Sequence, residues 1–507
     1  MNQERPNILW YCTDQQRYDT ISALGNPHIR TPNLDTLCEQ GVAFTNAYTQ
    51  CPICTASRAT FLTGRYPSTH NVYRNNADYF PPNEVLVTKL LADAGYDCAL
   101  AGKLHLSKAN KGNLERRPDD GYRKFFWSNH PNPDYPYGHD YAIWLKEEKG
   151  VDPVELYGAL CGQIGPGVAT EYHQTTWCSE MAIQFITEKR DGPWLMSINP
   201  FDPHPPFDPP KEYLDHYDPD TLPFPLFNES DIERQKVFSK IDHQTREAIN
   251  PLTSRDEDNT TGSVDRGKMG SISPSAYDAR RAKASYYAEI ELIDDQFGRI
   301  MDALEETGQR ENTLIIFMSD HGESLGDHGL IYKGCRFFES LVHVPLIISY
   351  PPRFGKGVRS NALVELVDLA PTLMKAAGLE VPYYMQGKSL LPILSGRADP
   401  GYHKDHVISE YNCSLHLPNL SHGVMYFDGR YKLVVYEGQT LGELFDLESD
   451  PGEFHNLWDD PNCSSLKAVL LERHFQAYLS TVSAGIEWPK ESRPGAGLAP
   501  KSPSVYD

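Results

Sequence analysis

Short apolar runs alternate with helical patterns along this 507-residue chain, and turn residues separate them. The clearest helix is predicted over residues 284–307, because apolar side chains recur there at helical spacing and Gly308 supplies a stop. This helix precedes an apolar run, as a crossover helix precedes its strand. The alternation predicts an α/β fold with a mostly parallel central sheet flanked by helices. Buried strands are predicted over residues 7–12, 96–101, 194–199, 313–319 and 344–350.

The sequence changes character after Gly378, where hairpin-like runs such as residues 425–436 replace the helical crossovers. We therefore predict a large domain over residues 1–380 and a smaller one over residues 381–507. The last stretch, from Pro489, has little apolar content and is predicted to be an extended tail. Within the large domain, a stretch rich in Pro, Asp and Ser after His204 predicts an elaborated loop.

Charge and apolar content argue against several kinds of partner. The chain has 47 basic and 69 acidic residues, so its formal net charge of −22 repels polyanions such as nucleic acid. Because no apolar run approaches the roughly 18 residues of a spanning helix, no membrane insertion is expected. The chain starts without a basic segment followed by an apolar one, and its ten cysteines lack a framework spacing. We therefore expect a cytoplasmic protein with reduced thiols.

Acidic side chains follow two of the predicted strands. Asp14 comes after the first strand, and Asp320 comes after the 313–319 strand with His321 beside it. In open α/β sheets ligands bind at the carboxyl ends of the strands, so these side chains are expected to meet. Each of them alone is more often a turn or capping residue, and a metal site is predicted only because other motifs agree.

A cysteine-containing run constrains function most. Residues 51–65 read CPICTASRATFLTGR, which resembles the maturation motif of type I sulfatases, where a cysteine, here Cys54, is oxidised to formylglycine. One oxygen of the hydrated aldehyde can attack sulfur or phosphorus, and the other later expels sulfate or phosphate. The run departs from the usual motif at Ala56, where proline is usual. The resemblance implies a formylglycine-generating maturation enzyme as a partner.

Further segments resemble other motifs of the same family. Lys103 and His105 close the run over residues 95–105, His204 lies in a proline-rich turn, and residues 443–457 look like the family's closing motif. The resemblance therefore spans nearly the whole chain. It implies an alkaline-phosphatase-like sheet, a smaller C-terminal α+β domain with an antiparallel sheet, and hydrolysis of a sulfate ester by a sulfuric ester hydrolase.

The resemblance also implies one divalent cation. Its ligands would be Asp14, Gln15, Asp320, His321 and an oxygen of the matured Cys54. Most sulfatases have asparagine where His321 stands, and the Asp-His pair looks more like the choline-sulfatase and phosphonate-monoester-hydrolase branch. Calcium is the first expectation, and the imidazole keeps Mn²⁺ and Zn²⁺ open as alternatives.

Catalytic and substrate-binding roles are carried over from matching motif positions. Arg58 would orient the nucleophile, and His105 would take part in proton transfer during release. His204 would lie beside the leaving group as an acid, and it would also bind substrate. Substrate oxygens would be bound by Lys103, Lys333 and Asn75. Because phosphonate monoester hydrolases commonly place tyrosine and threonine at the positions of Lys103 and His105, a sulfate substrate is favoured.

Several alternatives stay open at this stage. The chain could be a phosphonate monoester or phosphodiester hydrolase that also accepts sulfates, or a relative in which Ala56 prevents maturation. Cys51 and Cys54 also have the spacing of a redox or zinc pair, although no second pair lies nearby. The leading expectation is a small-molecule sulfate ester as substrate and a dimer or tetramer as assembly. By default, we predict solvated loop positions for Asp327, His328 and Arg336.

Overall fold

The computed structural model describes most of the chain. The predicted tail from Pro489 and the centre of the loop after His204 lie outside the described residues. The described residues are 5–109, 114–131, 138–158, 160, 164–242, 245, 248–253, 277–415 and 421–482.

A nine-stranded sheet forms the centre of the molecule. Its strands are β1 (Asn7–Thr13), β2 (Val42–Tyr48), β3 (Asp97–Gly102), β4 (Lys124–Trp127), β5 (Trp194–Asn199), β6 (Thr313–Ser319), β7 (His343–Ser349), β8 (Val358–Ser360) and β9 (Val364–Glu365). They lie in the order β4-β3-β5-β1-β6-β7-β2-β8, and β9 pairs with β2. All pairs are parallel except those of β7, which runs against β6 and β2. The predicted mostly parallel sheet and its five strands are confirmed.

Helices cover both faces of this sheet. The helices are α1 (Pro32–Gln40), α2 (Cys54–Thr63), α3 (Pro67–His70), α4 (Val87–Asp93), α5 (Asp140–Glu147), α6 (Pro153–Gly158), α7 (Gln174–Ile186), α8 (Lys211–Leu214), α9 (Ser230–Val237), α10 (Ala279–Glu306), α11 (Glu339–Val342), α12 (Leu369–Ala376), α13 (Leu391–Leu394) and α14 (Ser464–Thr481). The predicted long helix is α10, which starts where the Asp278 side chain accepts the amides of Arg280 and Arg281, both at 3.1 Å. None of the helices in the described ranges is long and apolar enough to cross a membrane.

Strand β1 contributes to two cores because its side chains alternate between the two faces of the sheet. Leu9 and Tyr11 pack with α10 and α7 on one face. Trp10 and Cys12 pack with α2, α4 and α12 on the other. The helix α2 is buried along all ten of its residues, so Cys54 at its first position is fixed by the surrounding core.

A four-stranded antiparallel sheet follows the large one. Its strands are β10 (Val407–Asn412), β11 (His422–Phe427), β12 (Tyr431–Tyr436) and β13 (Gly442–Asp446). Leu433 and Leu444 pack against Leu470 of α14. The antiparallel C-terminal sheet is therefore confirmed, and the domain boundary at residue 380 stays a prediction.

Candidate active site

The carboxyl edge of the sheet brings the site together. Asp14 follows β1 and Asp320 follows β6, and these strands are parallel neighbours. Two positions here require glycine. A Cβ on Gly322 would lie 1.9 Å from the carbonyl oxygen of Ser340. Gly102, which precedes Lys103, has a φ of +104°, which favours glycine.

Cys54 lies among groups that could hold a metal ion. One ligand atom each from Cys54, Asp14, Asp320 and His321 lie within 4.8 Å of one another, and all four residues are buried. The Cys54 Sγ atom is 3.1 Å from His321 Nε2 and 3.5 Å from Asp14 Oδ1. Within the described part of the chain, this is the one such group, and it does not include Cys51.

Arg58 and Lys103 neutralise the two carboxylates. Arg58 Nε donates to Asp320 Oδ2 at 2.9 Å, and its Nη2 donates to Asp14 Oδ2 at 3.2 Å. Lys103 Nζ lies 2.5 Å from the same Asp14 oxygen. Because Arg58 is one helical turn beyond Cys54 on α2, it ties the helix of Cys54 to both strand ends.

Lys333 and Gln15 also belong to the cluster. Lys333 Nζ donates to Cys54 Sγ at 3.0 Å and to Gln15 Oε1 at 2.6 Å. The Nε2 group of Gln15 donates to Glu323, whose other carboxylate oxygen accepts backbone amides. A carboxylate only accepts, so Glu323 fixes the Gln15 amide with its oxygen toward the cluster. Sequence reasoning did not assign this role to Glu323.

His204, His105 and Asn75 border the cluster. The His204 ring packs on Phe201 with centroids 4.5 Å apart, and the Phe201 ring lies 5.3 Å from Lys103 Nζ. His105 is a buried residue in the left-handed region at φ 57°. The Asn75 Oδ1 atom accepts the amide of Thr55, which directly follows Cys54, at 3.0 Å.

Burial and fixed charges shift the pKa values of these groups. Burial alone raises the pKa of Asp14, but the charges of Lys103 and Arg58 hold it well below its usual range. Burial and Asp14 raise the pKa of the Cys54 thiol, yet nearby cations bring it below its ordinary value. Burial, followed by neighbouring cations, lowers the pKa of His105 and of His204 far enough to keep both imidazoles neutral.

The structure thus places every sequence-predicted site residue in or beside one cluster. The expectation that Asp327, His328 and Arg336 are solvated is wrong, since all three are buried. Asp327 pairs with Arg17 at 2.7 Å, and His328 stacks on Phe338 with centroids 4.1 Å apart. The Arg336 guanidinium pairs with Glu443. These residues hold the loop after β6 in place.

Fold and site together define a hydrolase of the alkaline phosphatase superfamily. A family model described as Sulfatase matches residues 6–379, and one described as N-sulphoglucosamine sulphohydrolase, C-terminal, matches residues 326–478. The chain belongs to the sulfatase family and is a sulfuric ester hydrolase.

Individual relatives are similar over nearly their full lengths. The arylsulfatase of Clostridium perfringens is 31% identical, covering 89% of this chain and 90% of that enzyme. The choline-sulfatase of Rhizobium meliloti is 30% identical, covering 91% and 84%. Among solved structures, the phosphonate monoester hydrolase of Agrobacterium radiobacter is 27% identical with a TM-score of 0.79, covering 94% and 96%.

Proposed function

We propose that this chain hydrolyses the sulfate ester of a small molecule, with Cys54 matured to formylglycine and one divalent cation bound. The position of Cys54 carries the proposal. Its Sγ atom contacts Lys333 at 3.0 Å, His321 at 3.1 Å and Asp14 at 3.5 Å. A nucleophile among cationic donors and metal ligands has the surroundings that attack on a sulfate group requires.

The donor set fits a divalent cation. Asp14 and Asp320 offer carboxylate oxygens, Gln15 an amide oxygen, and His321 an imidazole nitrogen, all fully buried. The oxygen donors favour Ca²⁺, with Mn²⁺ or Zn²⁺ as the alternatives that the imidazole allows. When bound, the ion would supply positive charge to a sulfate oxygen and to residue 54.

A hydrated formylglycine at position 54 would supply two hydroxyl groups, one to attack sulfur and one to let sulfate leave. Arg58 lies on the same helix as residue 54 and would orient it, because the Arg58 guanidinium is held between Asp14 and Asp320. His105 is held neutral beside the cluster and can accept the proton of the second hydroxyl.

Two lysines and one side-chain amide would bind the oxygens of the substrate's sulfate group. Lys333 contacts Cys54, Lys103 contacts the adjacent Asp14, and each can bind a sulfate oxygen. The Asn75 oxygen is used by the amide of Thr55, which leaves its nitrogen to donate to sulfate. The leaving oxygen would lie toward His204. An anionic substrate would raise the pKa of the His204 imidazole, which is low in the free protein, and would so help to protonate it.

Two measurements on the same preparation test this function. Mass spectrometry of the tryptic peptide over residues 31–58 should find aldehyde in place of the Cys54 thiol. The matured protein should cleave an aryl sulfate, lose that activity to a chelator and regain it on addition of Ca²⁺. An intact thiol, or activity that survives chelation, would contradict the proposal.

A phosphonate monoester hydrolase is the second candidate, favoured by the 27% identity and TM-score of 0.79 to such an enzyme. Both reactions use the same nucleophile and ion, so the catalytic efficiency must separate them. We expect kcat/KM for an aryl sulfate to exceed that for the matching aryl phosphonate. A clear preference for phosphonate would select the second candidate.

A further inference from the structure

We propose that Glu115 is a positioning residue that holds His105 in its working conformation. This inference rests on the proposed function, which makes His105 the base for sulfate release. Glu115 stands outside every motif that the sequence analysis used. It lies ten positions after His105 in sequence, and it is 7% exposed.

The geometry is a carboxylate clamped around three consecutive amides. His105 N donates to Glu115 Oε2 at 2.9 Å, Leu106 N to Oε1 at 2.5 Å, and Ser107 N to Oε1 at 3.2 Å. The indole Nε1 of Trp127 donates to Oε2 at 3.1 Å. Each oxygen therefore accepts two hydrogen bonds, and all four partners are N–H donors, which suits an ionised carboxylate.

This clamp stabilises an unusual backbone conformation at His105. His105 has a φ of 57°, a left-handed conformation that disfavours side chains with a Cβ. Such a conformation persists only where surrounding contacts fix it. The Glu115 carboxylate accepts the amide of His105 itself and those of the two residues that follow, so it fixes this turn from outside.

The other end of the same loop is fixed separately. The Lys103 carbonyl oxygen accepts Arg58 Nη1 and Asn199 Nδ2, each at 2.9 Å. Lys103 is therefore tied to the nucleophile's helix and to β5, while His105 is tied to Glu115. Loss of the clamp should move His105 and leave Lys103 in place, so turnover should suffer more than substrate binding.

Glu115→Gln tests the clamp because it keeps the size of the side chain and replaces one acceptor by an NH₂ donor. In hydrogen-exchange mass spectrometry of the full chain, the amides of residues 105–107 should exchange about tenfold faster or more. With an aryl sulfate, kcat should fall by about tenfold or more while kcat/KM changes by less than about threefold, because the release step that His105 serves follows formation of the covalent intermediate. The exchange result does not require activity, so it is separable from failure of the proposed function.

Asp294→Asn is the matched control. Asp294 is also a buried carboxylate that accepts consecutive amides, from Asn33 at 3.1 Å and Leu34 at 2.7 Å, but on a helix without site residues. This variant should leave kcat per folded molecule unchanged and the exchange at residues 105–107 unaltered.

A double mutant separates positioning from general stability. If Glu115 acts through His105, then adding Glu115→Gln to His105→Ala should lower kcat little further, because the group it positions is absent. Three outcomes would each overturn the proposal. The kcat losses of the two single variants could multiply in the double mutant, the exchange at residues 105–107 could stay unchanged in Glu115→Gln, or its kcat loss could equal the unfolded fraction. Glu115→Asp, which keeps the charge, should recover part of kcat.

Discussion

Two buried charge clusters of this molecule use the same kinds of side chain for different ends. In the active site, Asp14 and Asp320 face Arg58 and Lys103, with Lys333 on Cys54. The second cluster lies after β9, where Lys404 pairs with Glu365. Lys404 also pairs with Asp368, at 2.7 Å. We call the first the active-site cluster and the second the Lys404 cluster.

The clusters differ in what completes their hydrogen bonds. In the Lys404 cluster, Glu365 accepts the amide of Ile408 at 3.0 Å and Asp368 accepts that of Lys388 at 2.7 Å. In the active-site cluster, Asp14 receives its hydrogen bonds from side chains, those of Cys54, Arg58 and Lys103. Asp320 of the active-site cluster also accepts backbone amides, from Gln15 at 3.0 Å and from His321 at 2.9 Å. The difference therefore lies at Asp14, whose side-chain contacts an ion or a substrate can replace.

Removing the proposed nucleophile should have the largest effect. Cys54→Ala removes the residue that we propose is matured, so we expect kcat/KM for an aryl sulfate to fall by at least about 10⁴-fold. The folded state should lose no more than about 1–2 kcal/mol, because the change is small and the two carboxylates keep their cations. Kinetics and urea unfolding of the same samples check both parts. Substantial activity in this variant would contradict the division between the two clusters.

The opposite pattern is expected when the Lys404 cluster is broken. Lys404→Met leaves two buried carboxylates without their cation, so the free energy of unfolding should fall by about 3–5 kcal/mol. The kcat per folded molecule should stay within about twofold of the parent, because no site residue contacts Lys404. Denaturant unfolding monitored by fluorescence gives the stability, and active-site titration gives the folded fraction. A large loss of kcat at full folding would break the comparison.

The sequence predicted the active-site cluster better than its supports. Asp14 and Asp320 follow buried strands, so the carboxyl edge of a parallel sheet had to bring them together. The burial of His328 and Arg336 could not be read from a polar loop, because it depends on Phe454 and Glu443 from other segments. Such partners leave no spacing pattern in the chain.

The roles of Glu115 and Glu323 were missed for a related reason. Both carboxylates act on groups whose conformation is not visible in sequence, a left-handed backbone at His105 and an amide orientation at Gln15. The antiparallel direction of β7 likewise depends on a tertiary pairing with β6 and β2. Periodicity predicts that such strands exist, and it carries no direction.

Glu410 is a buried carboxylate that can be compared with the cation-paired carboxylates of both clusters. Glu410 is 1% exposed, one oxygen accepts the amide of Ser68 at 2.9 Å, and the other has no partner within the described residues. Burial raises its pKa from 4.5 to about 7, against the hydrogen bonds from Ser68. In both clusters, by contrast, adjacent cations hold the pKa of a carboxylate down, at Asp14 and at Asp368.

Glu410→Gln should therefore change the pH dependence of stability. Between pH 4.5 and about 7 the folded state keeps a proton that the unfolded state releases, so the parent loses stability as pH rises. The loss amounts to about 3 kcal/mol for this one group. The variant should be more stable than the parent at pH 8 and differ less at pH 4.5, measured by urea unfolding. Equal pH dependence in parent and variant would show that Glu410 ionises normally.

The smallest effect is expected when Glu323, which fixes Gln15 in the active-site cluster, is replaced. Glu323 accepts from Gln15 Nε2 and so directs Gln15 Oε1 toward Lys333 and the proposed metal ligands. Glu323→Gln offers a donor as well as an acceptor, so the Gln15 amide can turn over and present nitrogen to the ion. Because residues behind metal ligands typically change affinity by about 10–100-fold, the affinity for the proposed Ca²⁺ ion should weaken within that range. Calorimetric titration of the metal-free protein measures this without any turnover. Unchanged affinity would mean that Gln15 does not bind the ion, and the active-site cluster would then rest on Asp14, Asp320 and His321.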